Sequence, residues 1–275
     1  MAPLVSVCMP VYNGERFLRK AIDSVLAQKF TDFEIVICDD CSSDGSVGII
    51  ESYDDPRITL YRNERNLGLV GNWNNAIAHS SGKYVKIMMQ DDILGPDALD
   101  RQTSLMENNP QATLSIGNTM VININDEVIM KRIRFKADRI INGKKYAKRS
   151  LRGRNIFCEP PNYLFRRDSF EKVGRFDDSL VYTPDWDMCV SLCEIGDVAC
   201  TEAEVMRFRV SDTQETSKIY RGKNAVANQD SDKMFIKHLK SGILGLNRFD
   251  YFLFRTVIRL AAFARVAVLG VRKKK

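Results

Sequence analysis

Two pairs of neighbouring aspartates are the side chains in this sequence that are best suited to chemistry. Asp39-Asp40 follows one apolar run of the chain, and Gln90-Asp91-Asp92 follows another. Adjacent carboxylates repel each other and need a compensating cation, which Mg²⁺ or Mn²⁺ supplies when one or two carboxylates share it with the phosphates of a substrate. An ion that bridges Asp92 and a diphosphate would make the diphosphate a better leaving group. The alternative is that such pairs only cap helices or form turns.

The elements that must position these carboxylates alternate regularly over residues 1–118. Apolar runs typical of strands are separated by segments with helical periodicity, and Asn13 stands where it would cap the first helix. The predicted strands cover 5–9, 33–38, 58–61, 84–89 and 112–116, and the predicted helices cover 15–28, 46–53, 71–79 and 96–108. This order predicts βαβ units and an α/β fold with a parallel sheet. Because ligands bind beyond the carboxyl ends of such strands, we expect both aspartate pairs at one edge of the sheet.

The rest of the chain is less regular. We predict strands over 121–141 with a turn at Asn125-Asp126, and a basic surface helix or loop over 144–153. A helix is predicted over 185–195 and a further strand over 204–210.

Residues 247–275 have the pattern of a basic amphipathic helix. They contain eight basic residues and one acidic residue, so the rest of the chain is close to neutral although the net charge is +6. One face would carry Phe249, Leu253, Val257, Leu260, Ala264, Val268 and Val271, opposite a stripe of Arg248, Arg255 and Arg259. Such a helix is typical of proteins that bind the surface of an anionic membrane. The alternative is that its apolar face packs on the body of the protein or on a second subunit.

Several classes of function are disfavoured by what the sequence lacks. The residues after the first strand, Pro10-Val11-Tyr12-Asn13-Gly14, form neither a Walker A loop nor a G-x-G-x-x-G motif, which argues against P-loop NTPases and dinucleotide-dependent dehydrogenases. The near-neutral body does not favour nucleic acid as a partner. No run approaches the roughly 20 apolar residues of a membrane span. Seven cysteines, an odd number, and the absence of a signal peptide indicate free thiols in a cytoplasmic protein.

Five ordered groups of residues resemble glycosyltransferase family 2. They are VSVCMPVYN at 5–13, DFEIVICDDCSSDGS at 32–46, NLG at 66–68, GKYV at 82–85 with QDD at 90–92, and VGRFD at 173–177 with DWD at 185–187. The resemblance extends over about 4–210. It implies the GT-A fold, a Rossmann-like and mostly parallel sheet flanked by helices, and an inverting sugar transfer from a nucleotide-diphosphate donor.

The resemblance also implies the residues that bind the nucleotide. Pro10, Tyr12 and Asn13 match the loop that lines the nucleotide in this family. Asp40 matches the carboxylate that accepts a hydrogen bond from the uracil ring, and Asp39 lies beside it. This assignment favours UDP, although thymine offers the same ring N–H group.

The family's metal motif corresponds to Gln90-Asp91-Asp92 here. Asp92 is the expected metal ligand, for Mg²⁺ or Mn²⁺, and Asp91 is expected to face the ribose or the donor sugar. Many members carry a histidine near Arg209 that can also ligate the metal, and this chain lacks it. Arg209, Lys218 or Arg221 would add charge to the phosphates, although each residue of this type is more often a solvated surface group.

Asp185 matches the family's catalytic base, with Asp187 as the second candidate. An inverting transfer needs a carboxylate that takes the proton of the acceptor hydroxyl as its oxygen attacks the anomeric carbon. The alternative is that Asp185 is only the N-cap of the following helix. The chain departs from the family in having Pro184 where an acidic residue is common.

These assignments define three segments and one expected activity. Residues 1–118 would bind the donor, 119–246 would bind the acceptor and carry the base within the same domain, and 247–275 would form the basic helix. We expect a UDP-sugar-dependent glycosyltransferase that acts on a glycan or a lipid-linked acceptor in cell-surface polysaccharide biosynthesis, on the inner face of the membrane. The alternatives are a non-catalytic protein that binds nucleotide sugars, or a sugar nucleotidyltransferase.

Overall fold

The computed structural model describes residues 2–157, 159–211, 224–258 and 260. Its strands are β1 Val5–Val11, β2 Phe33–Asp39, β3 Ile58–Arg62, β4 Tyr84–Ile87, β5 Ile93–Leu94, β6 Ala112–Ile122, β7 Val128–Arg132, β8 Arg139–Ile141, β9 Leu164–Arg166 and β10 Asp197–Arg209. Its helices are α1 Leu18–Leu26, α2 Ser46–Glu51, α3 Gly68–Ala78, α4 Ala98–Glu107, α5 Gly143–Leu151, α6 Arg167–Val173, α7 Pro184–Ile195 and α8 Asn224–Ser241, with a 3₁₀ turn at Pro160–Asn162 and a last described helix at 248–258.

The strands form one mixed sheet in the order β3-β2-β1-β4-β9-β6-β10-β5. Strands β3, β2, β1 and β4 are parallel, as are β6 and β10, whereas β9 runs antiparallel to both of its neighbours. β7 pairs with β6, and β8 pairs with β10. The predicted α/β fold with a mostly parallel sheet is therefore confirmed. β1 and β2 are almost wholly buried because helices cover both faces of the sheet, which explains their continuous apolar runs.

Helix α1 shows how the first half of the chain is built. Leu18, Ala21, Ile22 and Val25 are buried and pack toward β1 and β2. The prediction that Asn13 caps this helix is wrong, because α1 begins at Leu18 and Asn13 lies in the preceding turn with a φ of 49°. Its side chain instead accepts a hydrogen bond from the backbone N–H of Ser43 at 2.8 Å.

The second half confirms the predicted hairpin between β6 and β7. Its turn includes Asp126, which has a φ of 68°, and the N–H of Asp126 donates to the carbonyl of Asn123 at 3.2 Å. The basic segment predicted as a helix or loop is helix α5, whose N-cap Asn142 accepts from the N–H of Lys145. The strand predicted over 204–210 is the second part of the long strand β10.

The 248–258 helix packs through a different face from the one that the sequence pattern indicated. Asp250 and Phe254 are buried, whereas Phe249 and Phe252 are 69% and 68% exposed. Phe254 decides this orientation, because its ring packs against Trp186 with 5.9 Å between the ring centroids. The predicted face that begins at Phe249 is thus not the packed face within the described residues. The predicted helix beyond 260 and Arg259 itself lie outside them.

In the part of the chain that the structure describes, no helix has the length and apolarity needed to cross a membrane. The cysteines within the same residues are free thiols, as predicted, and all of them except Cys41 are buried.

Candidate active site

Asp40 is buried at the carboxyl end of β2, where the chain itself occupies both oxygens of its carboxylate. Oδ1 accepts hydrogen bonds from the N–H of Leu67 and from Asn63 Nδ2, both at 2.7 Å, and Oδ2 accepts from the N–H of Gly68 at 3.0 Å. Helix α3 begins at Gly68, so Asp40 satisfies N–H groups at the start of a helix that have no partner within the helix. The helix-capping alternative therefore describes Asp40 well.

Asp39 is also buried, but one of its oxygens is left unpaired. Oδ2 accepts from the N–H of Ser42 at 3.1 Å, and Ser42 Oγ in turn accepts from the N–H of Asn13 at 2.9 Å. Oδ1 is buried and has no hydrogen-bond partner within the described residues. A buried carboxylate oxygen without a donor is costly, so this position is a natural acceptor for the N–H group of a ligand.

The residues predicted to line the nucleotide differ in their placement. Tyr12 lies just after β1 and is 51% exposed, which leaves its ring available to a ligand. Gln90 fixes the backbone at this point, because Oε1 accepts from the N–H of Tyr12 at 2.8 Å and Nε2 donates to the carbonyl of Tyr12 at 3.0 Å. Pro10, which we predicted in the loop, is buried inside β1. A proline is tolerated there because β4 pairs with β1 only as far as Cys8.

Asp92 is buried beyond the carboxyl end of β4, with Asp91 partly exposed beside it. Oδ1 of Asp92 accepts from the backbone N–H of Arg209 at 2.8 Å, and Oδ2 has no hydrogen-bond partner within the described residues. Burial and the neighbouring charge of Asp91 raise the pKa of Asp92 well above its ordinary value. When Asp92 is ionised, the backbone N–H and the charge of Arg209 compensate its negative charge only in part.

Arg209 is fully buried, so the interpretation of this residue as a solvated surface group is wrong. Its Nε donates to the carbonyl of Asp91 at 2.7 Å, its guanidinium forms an ion pair with Asp126 at 2.5 Å, and it lies 4.3 Å from the centroid of the Phe17 ring. Arg209 thus fastens the Asp91-Asp92 segment to β10 and to the β6–β7 turn. Lys218 and Arg221, the other predicted phosphate-binding residues, lie outside the described residues.

Asp91 and Asp92 would fit a divalent metal ion only if a bound ligand supplied the other coordinating atoms. Within the described ranges, no group of three or more His, Cys, Asp or Glu side chains is arranged to hold a metal by itself. Magnesium and manganese are commonly held by one or two carboxylates together with substrate phosphates. The free oxygen of Asp92 suits that arrangement, with the remaining ligands supplied by a diphosphate and water.

Asp185 lies in the first turn of α7, as its second residue. The N-cap interpretation is wrong, because Pro184 occupies the first helical position and Thr183 is the N-cap. Oδ2 of Asp185 accepts a hydrogen bond from the hydroxyl of Tyr163 at 3.2 Å. Burial raises the pKa of Asp185 to about 6, although the N–H of Trp186 and the Tyr163 hydroxyl lower it. Asp185 is therefore ionised at neutral pH and more basic than an ordinary carboxylate.

Asp187, the second candidate for the base, is held by other side chains. It is buried, and its two oxygens interact with His238 Nε2 at 3.0 Å and with Lys237 Nζ at 2.5 Å. These cations and the hydrogen bond from His238 lower the pKa of Asp187 although burial raises it, so Asp187 is a weaker base than Asp185. Its geometry indicates an ion pair that joins α7 to α8.

Glu159 is a residue of this region that the sequence pattern did not reveal. One of its oxygens pairs with Arg132, and the other, Oε2, is buried without a hydrogen-bond partner in the described residues. Its negative charge contributes to the raised pKa of both Asp92 and Asp185. The only local signal was its place directly before Pro160-Pro161, where a rigid turn fixes the direction of the chain.

The fold matches solved structures of glycosyltransferases. The structure of residues 1–349 of TarS from S. aureus in complex with UDP-GlcNAc matches with a TM-score of 0.66 and 16% identity, covering 88% of this chain and 72% of that chain. The mannosyltransferase PcManGT from Pyrobaculum calidifontis, in complex with GDP-Man and Mn²⁺, matches with a TM-score of 0.60 and 16% identity, covering 98% of this chain and 76% of that one. The architecture is that of the GT-A glycosyltransferases.

The chain belongs to glycosyl transferase family 2, whose sequence model matches residues 6–174. An uncharacterized glycosyltransferase of Rickettsia typhi is 28% identical over 218 residues, which are 78% of this chain and 67% of the relative. The Escherichia coli enzyme UDP-Glc:alpha-D-GlcNAc-diphosphoundecaprenol beta-1,3-glucosyltransferase WfgD is 37% identical over 125 residues, which are 46% of this chain and 49% of the relative. The predicted family is therefore confirmed, and the protein is a glycosyltransferase.

Proposed function

We propose that this glycosyltransferase uses a UDP-sugar donor and transfers the sugar with inversion to a hydroxyl of a lipid-linked or glycan acceptor. The observation that carries the choice of nucleotide is the buried, unpaired Oδ1 of Asp39. Uracil presents one ring N–H, which is the donor that this oxygen lacks. The resemblance assigned that hydrogen bond to Asp40, but both oxygens of Asp40 already accept N–H groups of the protein. We therefore assign it to Asp39.

The remaining donor contacts follow from the same region. The exposed ring of Tyr12 offers a stacking surface for the base, and Asn13 shapes the loop through Ser42 and Ser43. Asp91 would face the ribose or the donor sugar, and Asp92 would hold Mg²⁺ or Mn²⁺ together with the diphosphate. When bound, the ion would neutralise charge on the leaving diphosphate.

Asp185 would act as the general base. As the acceptor oxygen forms its bond to the anomeric carbon, the bond from that carbon to the diphosphate breaks, and its electron pair leaves with UDP. The proton of the acceptor hydroxyl passes to Asp185, whose pKa of about 6 makes it a better base than an ordinary aspartate. The hydroxyl of Tyr163 holds the carboxylate in place from one side.

Calorimetric titration with UDP and GDP, each with and without Mn²⁺, tests the donor assignment. We expect Mn²⁺-dependent binding of UDP, a loss of about 10- to 100-fold in UDP affinity in Asp39→Asn, and loss of the metal dependence in Asp92→Ala. Asp32→Asn, an exposed carboxylate that precedes β2, is the matched control and should bind as the wild type does. Tighter binding of GDP, or unchanged UDP binding in Asp39→Asn, would contradict the assignment.

A lipid-linked acceptor is supported by the relative from Escherichia coli, whose name specifies a sugar on diphosphoundecaprenol. The basic residues of 247–275 support the same proposal, since they suit a protein that meets such an acceptor at the inner face of a membrane. An assay with a polyprenyl-diphosphate sugar, compared with the same sugar free in solution, would test it. Equal transfer to both acceptors would argue for a glycan acceptor instead.

A further inference from the structure

A dense group of positive charges lies on helix α5 and the residues after it, apart from the residues proposed to bind the donor. Residues 143–154 contain six basic side chains and no acidic one. Tyr146, Ala147, Ser150 and Leu151 form the buried face of α5, so the basic residues occupy its opposite side. Like charges at this density repel each other, and a polyanionic partner would relieve the repulsion.

Most of these basic residues line one open cavity of about 640 Å³, which we name the α5 cleft. Its lining consists mainly of Lys145, Lys148, Arg149, Arg152, Arg154 and Ile156. Lys148 donates to the carbonyl of Gly245 at 2.9 Å, and Arg152 pairs with Asp250 at 2.6 Å. Lys145, Arg149 and Arg154 have no ion-pair partner in the part of the chain that the structure describes, so their charge is available to a ligand.

Large apolar side chains lie exposed next to the α5 cleft. The bonds from Lys148 to Gly245 and from Arg152 to Asp250 tie the cleft to the start of the 248–258 helix. On that helix Phe249 and Phe252 are 69% and 68% exposed. Exposed aromatic rings beside a dense group of lysines and arginines are typical of surfaces that contact the interface of an anionic bilayer.

We infer that the α5 cleft and the exposed rings of Phe249 and Phe252 form one surface that binds the phosphate headgroups of anionic phospholipids in a bilayer. Charge complementarity selects this partner, since the cleft carries unpaired cations and the adjacent rings can insert among the lipid chains. This surface differs from the apolar face that the sequence predicted for 247–275, because it requires α5 and combines Phe249 with Phe252, which is not part of that face.

The position of this surface suits the proposed function, and the role that we infer for the surface rests on that function. Ser150 of α5 accepts a hydrogen bond from Trp186 Nε1 at 2.8 Å, and Trp186 directly follows Asp185. Phe254 of the 248–258 helix packs on the same indole ring. A bilayer bound at the α5 cleft would therefore lie close to the residue proposed to accept the proton of a lipid-linked acceptor.

Co-sedimentation of the full chain with vesicles tests the inference. We expect binding to phosphatidylcholine vesicles that contain about one-third phosphatidylglycerol, weak binding to phosphatidylcholine alone, and a decrease at high salt. Lys145→Gln/Arg149→Gln should lower the partition coefficient about 25-fold, at about fivefold per charge. Lys136→Gln/Lys172→Gln, which removes two exposed charges elsewhere, should leave it unchanged.

Phe249→Ser/Phe252→Ser provides a second variant, because both rings are exposed and their loss should not unfold the protein. It should weaken binding to the same vesicles at every salt concentration. The inference would be overturned if the Lys136/Lys172 control lowered the partition coefficient as much as the Lys145/Arg149 variant does. Equal binding to vesicles with and without phosphatidylglycerol would also overturn it. Binding that requires added polyprenyl diphosphate and ignores phosphatidylglycerol would do the same. UDP titration without vesicles tests the donor site separately, so failure of one proposal is distinguishable from failure of the other.

Discussion

Replacing Asp185 with asparagine tests the proposed role of Asp185 as the general base. The same variant measures how much free energy the ionised Asp185 carboxylate costs the folded protein. Asparagine has nearly the same shape but cannot ionise or accept a proton. Burial raises the pKa of Asp185 from 3.8 to about 6, a difference of about two pKa units. At 1.36 kcal/mol per unit, ionising this carboxyl in the folded protein costs about 3 kcal/mol more than in the unfolded chain. The asparagine would avoid this cost, but its weaker hydrogen bond from Tyr163 offsets part of the gain. We therefore expect the Asp185→Asn variant to be more stable than the wild type at pH 8 by about 1–3 kcal/mol.

The pH dependence of this difference follows from the direction of the shift. Below about pH 4 the carboxyl is neutral in both the folded and the unfolded state, so the wild type carries no ionisation penalty. The penalty grows between about pH 4 and pH 6 and is constant at higher pH. Urea unfolding of both proteins at several pH values measures it. Transfer should fall by about 10²- to 10⁴-fold in the variant while UDP affinity stays the same.

Two outcomes would refute this reasoning. An Asp185→Asn protein that is less stable than the wild type at pH 8 would show that the carboxylate is held by favourable contacts that the structure does not explain. Transfer within tenfold of the wild type would remove Asp185 from the catalytic step. Asp178→Asn is the matched control, since this nearby carboxylate is exposed and should change neither quantity.

Further predictions concern the catalytic pH profile, the nucleotide loop and the contact between α7 and α8. The rate of the wild type should fall as the pH drops below about 6, with a slope of about one logarithmic unit per pH unit, and a flat profile would contradict the raised pKa of Asp185. Asp40→Ala should lower the free energy of unfolding by about 2–4 kcal/mol in urea titrations, because it leaves buried N–H groups unpaired. Gly14→Ala should weaken UDP binding in calorimetry, since the added Cβ would lie 2.6 Å from the side chain of Gln90. The His238 pKa is raised by its hydrogen bonds to two carboxylates, although burial lowers it. The stability lost in His238→Asn should therefore be larger at pH 6 than at pH 9, and equal losses would contradict the ion pair.

The alternation of strands and helices was predictable because its cause is local. Apolar runs such as 33–38 and helical stripes such as Leu18, Ile22 and Val25 record burial on a sheet or on one helix face. Strand polarity then predicts both aspartate pairs at the carboxyl ends of their strands, and in the structure Asp39 is the last residue of β2 and Asp92 follows β4. Family membership was predictable because its motifs are short local sequences, several of which include these strands and the turns that follow them.

The roles of individual charged residues were less predictable, because they depend on contacts between distant parts of the chain. Whether Asp39 or Asp40 has a free oxygen is decided by Leu67 and Gly68. The burial of Arg209 depends on Asp126, whose position is set by the β6–β7 turn. Composition indicates that such residues are usually solvated, and only the tertiary structure shows an exception.

The packing of the 248–258 helix illustrates the same limit for apolar residues. Several phenylalanines and leucines alternate along it, so more than one helical face was apolar enough to be the buried one. The buried face is determined by two aromatic side chains on other helices, Trp186 and Phe235, which pack against the ring of Phe254. Periodicity alone therefore predicted the helix and missed its orientation.

The pair of hydrogen bonds between Gln90 and Tyr12 has a consequence for the entropy of ligand association. These two residues are 78 positions apart in the chain, and their hydrogen bonds form without a bound nucleotide. The backbone N–H and carbonyl of Tyr12 are therefore already constrained. A donor that stacks on this ring does not have to order the segment that carries it, so less of its binding free energy is consumed by immobilising the protein. We therefore expect Gln90, which directly precedes Asp91-Asp92, to contribute to nucleotide affinity by preorganising the segment that carries Tyr12.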